Sequence, residues 1–194
     1  MSAARTSPAR MHAGSTDQRK AARWAEQLLS AREFVILDSE TTGLKDPVNF
    51  VEIAIADPEG NALLNTTVRP KLPVESGAAK IHGYSAENLE GSPSFKEIYP
   101  DLLDAISGRR VVVYNAAYDR RVFDTEIIML GARGLLLGKY MPAWECAMSW
   151  FAQYVGERGK RGGYKSQKLP GGDHSALGDC IATLEVLGRM AQGS

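Results

Sequence analysis

Residues 33–44 read Glu33-Phe34-Val35-Ile36-Leu37-Asp38-Ser39-Glu40-Thr41-Thr42-Gly43-Leu44. The apolar run predicts a short buried strand over residues 33–38 that ends at an acidic motif. Asp38 and Glu40 are two apart, so a strand running through them sends both side chains out of one face. Two carboxylates that close repel unless something cationic lies between them. Hard divalent cations supply that charge, and Mg²⁺ favours carboxylates together with phosphate and water. Taken alone, the same residues also describe a solvated strand end followed by a Thr-Thr-Gly turn.

Outward from this stretch the chain alternates in type. Upstream, Asp17 to Ala31 carries Ala22, Trp24, Ala25, Leu28 and Leu29 at helical spacing between charged residues. Downstream, residues 50–57 read as a second strand, Pro58-Glu59-Gly60-Asn61 as a turn and residues 62–68 as the return strand. That makes a three-stranded antiparallel meander with the acidic motif at one end of its first strand. Residues 69–94, with Pro70, Pro73, Pro93, Gly77, Gly83 and Gly91, read as loop. Beyond them come a helix over 95–107, a β-branched strand over 110–114, a helix over 117–130, a short strand over 141–146, a helix over 147–155, a glycine- and lysine-rich loop over 156–172 and a last helix over 175–190. A meander followed by alternating helix and strand predicts an α/β sandwich on a mixed sheet.

Composition bounds the rest. The chain has 194 residues, of which 44% are hydrophobic, enough for one domain with a substantial core. Residues 1–16, rich in Ala, Ser and Arg, read as a disordered tail, and residues 17–194 as a single domain. A formal net charge of zero argues against coating long nucleic acid through a wide basic surface. It leaves room for an enzyme that grips a few nucleotides near an end. Cys146 and Cys180, neither in a CxxC pair, read as free thiols in a reducing compartment. With no secretory h-region in the first residues and no membrane-length apolar run, the expected location is cytoplasmic, away from membranes.

Two further motifs carry chemistry. Tyr114-Asn115-Ala116-Ala117-Tyr118-Asp119 follows a buried strand and opens a helix. Asp119 then sits in the first turn, where the helix dipole by itself already favours an anion. Asn115 either orients a ligand or caps the helix; its position favours capping. Asp124, one turn on, belongs to the solvated face. His174 and Asp179 are five residues apart, which on a continuous helix separates them by about 140°. They converge only if His174 precedes the helix and Asp179 lies within it, and Pro170-Gly171-Gly172 supplies such a loop. A loop histidine beside a helix carboxylate suits a general base beside a metal ligand. Gly178 costs helix stability unless the backbone packs tightly there.

Together these residues resemble the DEDDh branch of the DnaQ-like 3′–5′ exonucleases, within the ribonuclease H-like superfamily. Asp38, Glu40, Thr41, Thr42, Gly43 and Leu44 match DxETTGL. Asn115, Ala116 and Asp119 match HNAxFD, and His174, Ala176 and Asp179 match HxAxxD. Ile81-His82-Gly83-Tyr84 is similar to the family's IHGI, and Tyr164 to Leu169 resembles a YxxQKL segment of phage- and plasmid-type members. Tyr114 stands where the family has His, Tyr118 where it has Phe, and Ser39 replaces a Thr or an apolar residue. The resemblance implies a ribonuclease H-like fold on a mixed five-stranded sheet. It implies two divalent ions, Mg²⁺ or Mn²⁺, with Asp38, Glu40 and Asp179 on the first, Asp38 bridging, and Asp119 on the second. His174 would then take the proton of the attacking water, releasing nucleoside 5′-monophosphates from a 3′ end.

Substrate contacts are expected along Ser39, Thr41, Thr42, Gly43 and Leu44, at His82 and Tyr84, at Asn115 and Tyr118, and at Lys165 and Lys168. The last two belong to a basic run with Arg158, Lys160 and Arg161, either a phosphate grip or a solubilising loop. Arg120 and Arg121 are open to the same two readings. Trp144, Trp150 and Phe151 read as core. Single-stranded DNA or a frayed 3′ terminus is the expected substrate. RNA, and a catalytically silent module docked on a polymerase, stand as alternatives. Monomer and homodimer are both open.

Overall fold

The protein is described by a computed structural model covering residues 15–131, 144–160 and 162–193. The tail expected over residues 1–16 lies outside the described residues except for its end. There, Ser15 and Thr16 already belong to the first helix, α1 (Thr16–Ala31). Ser15 is its N-cap: its hydroxyl accepts the Gln18 N–H, while the Gln18 side chain accepts the Ser15 N–H.

Five strands form one mixed sheet in the order β3-β2-β1-β4-β5. They are β1 (Phe34–Thr41), β2 (Phe50–Ala56), β3 (Ala62–Thr67), β4 (Arg110–Val113) and β5 (Trp144–Cys146). The meander expected from the sequence is β1 to β3, paired antiparallel; β4 runs parallel to β1, and β5 parallel to β4. The short strand expected over residues 141–146 is described only from Trp144 onward.

The loop-rich stretch over 69–94 holds two short helices that the prolines and glycines concealed: α2 (Ser76–His82) and α3 (Ala86–Leu89). Gly83 closes α2 in the left-handed conformation, and Ser85 with Asn88 forms a capping box on α3. Among the described residues, the remaining helices are α4 (Phe95–Ile106), α5 (Ala116–Met129), α6 (Ala147–Val155) and α7 (Ala176–Gln192).

Strand alternation divides the core in two. Phe34 and Ile36 face a layer that holds Trp24 and Leu28 of α1 and Cys180, Val186 and Leu187 of α7. Val35 and Leu37 face the other layer, with Phe95 and Leu102 of α4 and Val122 and Phe123 of α5. The expected core aromatics take these places: Trp150 stacks on Trp24 with centroids 5.2 Å apart, and Trp144 packs beside Phe123. Cys180 is buried and Cys146 half-buried, both free. Among the described residues, no helix is long and apolar enough to cross a membrane.

One buried carboxylate sits away from the acidic motif. Glu126 of α5 is 4% exposed and accepts the Phe50 N–H at 3.2 Å, holding the start of β2. Burial pushes its pKa up to about 7, against the opposing pull of the Phe50 N–H and Lys71. A carboxyl that holds its proton more tightly when folded favours folding at low pH. That contribution is lost as pH rises from the ordinary carboxyl range through about 7. Glu126→Gln keeps an acceptor for Phe50 and removes the charge. At pH 8 it is expected to be more stable than the parent by about 1–3 kcal/mol, with the gain shrinking toward pH 4. Urea unfolding at both pH values measures this, and a pH-independent difference would show that Glu126 is not titrating.

Candidate active site

The apolar run ends at Leu37, but the strand expected to stop at Asp38 continues through Thr41. Alternation therefore carries Asp38 and Glu40 onto the face of Phe34 and Ile36, toward α7, and Ser39 onto the face of α5. The register with β2 shifts between Glu40 and Thr41, just past the acidic pair, so that Thr41 lies opposite Phe50. Such bulges bend a strand and re-aim its side chains. Thr41 and Thr42 tie down the turn that follows. The Thr41 hydroxyl donates to the Gly43 carbonyl at 3.0 Å, and the Thr42 hydroxyl accepts the Asn49 N–H at 3.0 Å. At Gly43 a Cβ would lie 2.5 Å from the Glu75 carboxyl group, so a side chain there would push that carboxylate from its place.

On the α5 side, Asp119 is 4% exposed and accepts the Ser39 hydroxyl at 2.6 Å, which places it against the end of β1. Tyr118, one residue earlier, donates to the Gly43 carbonyl at 2.6 Å and lies 2.5 Å from the Thr41 hydroxyl. Asn115 departs from its expected role. It occupies the N-cap position of α5 but makes no side-chain cap bond, and it is exposed.

On the α7 side, His174 precedes the helix and Asp179 lies in its first turn, as their spacing required. His174 reaches its place through a left-handed backbone, φ 63°, which costs a non-glycine residue about 1–2 kcal/mol. The turn is held from both sides: Asp173 Oδ1 accepts the Ser175 N–H and hydroxyl, and Asp179 Oδ1 accepts the Asp173 N–H. Ser175 caps α7 through the Gly178 N–H. A Cβ on Gly178 would sit 2.3 Å from Asp173 Oδ1, which explains a glycine inside the helix. The result is convergence: one ligand atom each from Glu40, His174 and Asp179 lie within 4.8 Å of one another.

Comparison with known proteins gives the family. The sequence pattern of the RNase_T family, described as an exonuclease, matches residues 35–187. The chain belongs to that exonuclease family. It is a DnaQ-like enzyme of the DEDDh type. It is 32% identical to an uncharacterized exonuclease, CP81, of Escherichia phage 186, over 92% of this chain and 95% of that one. It is 29% identical to the DNA polymerase III epsilon subunit of Haemophilus influenzae over 51% of this chain, but only 43% of that protein. Among solved structures, exonuclease X in complex with 5′ overhanging duplex DNA superposes with a TM-score of 0.56 at 24% identity, covering 83% of this chain and 92% of that one. The nuclease domain of 3′hExo bound to rAMP gives 0.52 at 10% identity, covering 82% and 91%. These likenesses identify the fold as ribonuclease H-like.

The exonuclease site is charged against itself. Burial first, and then the charges of Asp119, Asp179, Glu40 and Glu52, push the Asp38 carboxyl well above the usual carboxylate range. Glu40 is pushed up to about 8, again by burial first and then by Asp179, Glu52, Asp119 and Asp173. Burial lifts Asp119 to about 7 against the opposing Ser39 bond. Asp179 is raised by burial while the backbone N–H groups of Asp173 and His174 pull it down. Carboxylates gathered this way ionise together only beside compensating positive charge. An oxygen-rich donor set with one imidazole fits a divalent cation such as Mg²⁺ or Mn²⁺.

The expected substrate contacts divide. Leu44 is 74% exposed. Ser39, Thr41, Thr42 and Tyr118 have internal hydrogen-bond partners, and Gly43 is buried. His82 accepts the Tyr84 N–H at Nδ1, 3.0 Å, and lies 3.1 Å from the Thr41 carbonyl at Nε2. A carbonyl only accepts and an N–H only donates, so His82 is the neutral Nε2–H tautomer; burial also lowers its pKa. In the basic run, Lys165 pairs with Glu157 at 2.8 Å and Arg158 stacks on Tyr164, whose hydroxyl donates to Asp17. Lys168 is exposed, and Arg161 lies outside the described residues. Arg120 pairs with Asp124 and Arg121 with Asp46.

Sequence reasoning missed Glu52. It is buried in β2, opposite Glu40 in register. The signal was available, since Glu52 is the lone charge in an otherwise apolar strand, Phe50 to Ala56.

With carboxyls lifted to about 7 and about 8, metal-free stability is expected to fall as pH rises through that window. At pH 8 in EDTA, Asp38→Asn should melt above the parent, by ~2–4 °C for each kcal/mol of repulsion relieved. Mg²⁺ should raise the parent's Tm more than the variant's. A thermal shift series with and without metal decides, and a variant that melts below the parent in EDTA refutes the repulsion.

Proposed function

We propose that this exonuclease hydrolyses the terminal phosphodiester at the 3′ end of single-stranded DNA, or of a frayed duplex, by a two-metal mechanism. The observation that carries the reading is the convergence of Glu40, His174 and Asp179 at the end of β1, where Asp38 and Asp119 also meet. In this reading Asp38, Glu40 and Asp179 hold one divalent cation, and Asp38 and Asp119 a second. Bound cations supply charge stabilisation to the attacking and leaving oxygens of the phosphoryl transfer.

The chain's own residues do the rest. His174, exposed at the rim, takes a proton from the attacking water. The water oxygen bonds to phosphorus, the bond to the 3′ oxygen of the preceding nucleotide breaks, and a nucleoside 5′-monophosphate leaves. Leu44 wedges against the terminal base, His82 and Tyr84 line the terminal nucleotide, and Lys168 contacts the phosphate backbone. DNA is favoured by the epsilon-subunit relative, and that likeness also suggests a polymerase or repair partner. Because the match spans less than half of that subunit, the partner is a proposal for pull-down. The free thiols Cys146 and Cys180 suit a reducing compartment such as the cytoplasm.

The test is mononucleotide release from 3′- and 5′-labelled DNA and RNA of one sequence, with Mg²⁺, Mn²⁺ or EDTA. Shortening from the 3′ end should require metal and vanish in Asp38→Ala. His174→Ala should lower kcat about 10²–10⁴-fold. The DNA to RNA rate ratio assigns the substrate, and no metal-dependent release from either polymer would sink the proposal.

A further inference from the structure

Glu52 is placed where a carboxylate is ordinarily unwelcome. It is 7% exposed and lies directly opposite Glu40 on the sheet, and like charges so paired destabilise a strand pair. Its oxygens have definite partners. Oε2 accepts the backbone N–H of Ala176 at 2.9 Å, and the Tyr84 hydroxyl lies beside the same carboxylate and feels its charge.

These partners belong to the two segments that the chemistry needs together. Ala176 opens α7, between His174 and Asp179. Its N–H is one of the donors that a helix start leaves without an internal partner, and the positive end of the helix favours a carboxylate there. Tyr84 is joined through its N–H to His82, and His82 to the Thr41 carbonyl at the end of β1. A path of close polar contacts therefore runs from Thr41 through His82, Tyr84 and Glu52 to the turn that carries His174.

We propose that Glu52 is a positioning residue that locks the His82–Tyr84 segment to the His174–Asp179 segment. Seating of the terminal nucleotide and placement of the proton acceptor are thereby set together. The role rests on the exonuclease reading above, and its parts are testable separately from it.

The experiment compares the full chain with Glu52→Ala, Glu52→Gln, Tyr84→Phe and the Glu52→Ala/Tyr84→Phe pair, each first checked by thermal unfolding. Kinetics are read as kcat and KM on one labelled oligonucleotide, and amide hydrogen exchange is read at Ala176 in metal-free protein. Glu52→Ala is expected to lower kcat about 10–100-fold and to speed exchange at Ala176. Glu52→Gln, which retains an acceptor oxygen, should restore the protection and most of the rate. Tyr84→Phe should add little once Glu52 is gone, because the two act as one unit. If Glu52→Ala does not fold, Glu52→Met, which fills the buried space without an acceptor oxygen, takes its place alone and combined with Tyr84→Phe, with non-additive losses supporting the lock and multiplicative losses overturning it. A Glu52→Ala rate within about twofold of the parent, or Ala176 exchange unchanged, also overturns it. A parent with no metal-dependent turnover would instead overturn the exonuclease reading, while the exchange result would still report on the Glu52–Ala176 bond.

Discussion

Mutual repulsion among carboxylates at the end of β1 is the constraint on which the rest of the structure depends. Asp38, Glu40, Asp119 and Asp179 arrive from three elements at one half-buried place. Burial and proximity both work against their charged forms. Nothing in hydrophobic packing asks for this, and a fold optimised for stability alone would have separated them. The arrangement persists because apolar layers on both faces of the sheet hold those elements.

The backbone devices near the site follow from the same constraint. The shift in register after Glu40 bends β1 against β2 just where both carboxylates are aimed. The strained His174 backbone, φ 63°, lets the imidazole and Asp179 face one point although five residues separate them. Asp173, Ser175 and Gly178 make that turn affordable: two side chains satisfy its N–H groups, and the glycine leaves space for the Asp173 carboxylate. Strain is thus concentrated in one short segment whose neighbours over-determine it.

Much of this was legible in the chain, and the failures are instructive. The meander, the two later helices and the last helix were readable because each carries its own period of apolar residues. Asp38 and Glu40 could be placed on one face from alternation alone, and His174 outside the helix from angular spacing alone. α2 and α3 were hidden by glycines and prolines that read as loop, although Gly83 ends a helix and Ser85 starts one. Asn115 occupies a cap position without capping, because position in sequence does not orient a side chain. The pairing of Lys165 with Glu157 across a turn was likewise not visible in a basic run. Glu52 was overlooked because its partners, Tyr84 and Ala176, are distant in sequence.

The sequence by itself determined the local periods, the order of the acidic motifs and the family to which they belong. These are set by nearest neighbours along the chain: alternation in β1, helical spacing in α1, a glycine-rich turn before His174. Only the tertiary structure decided which charges meet. It joined Ser39 to Asp119, His82 to Thr41, and Glu52 to both Tyr84 and Ala176. The physical reason is that ionisation, tautomer and hydrogen-bond partner depend on distance and burial in three dimensions. Both are products of how the helices pack on the two faces of the sheet, and no one-dimensional pattern carries that information.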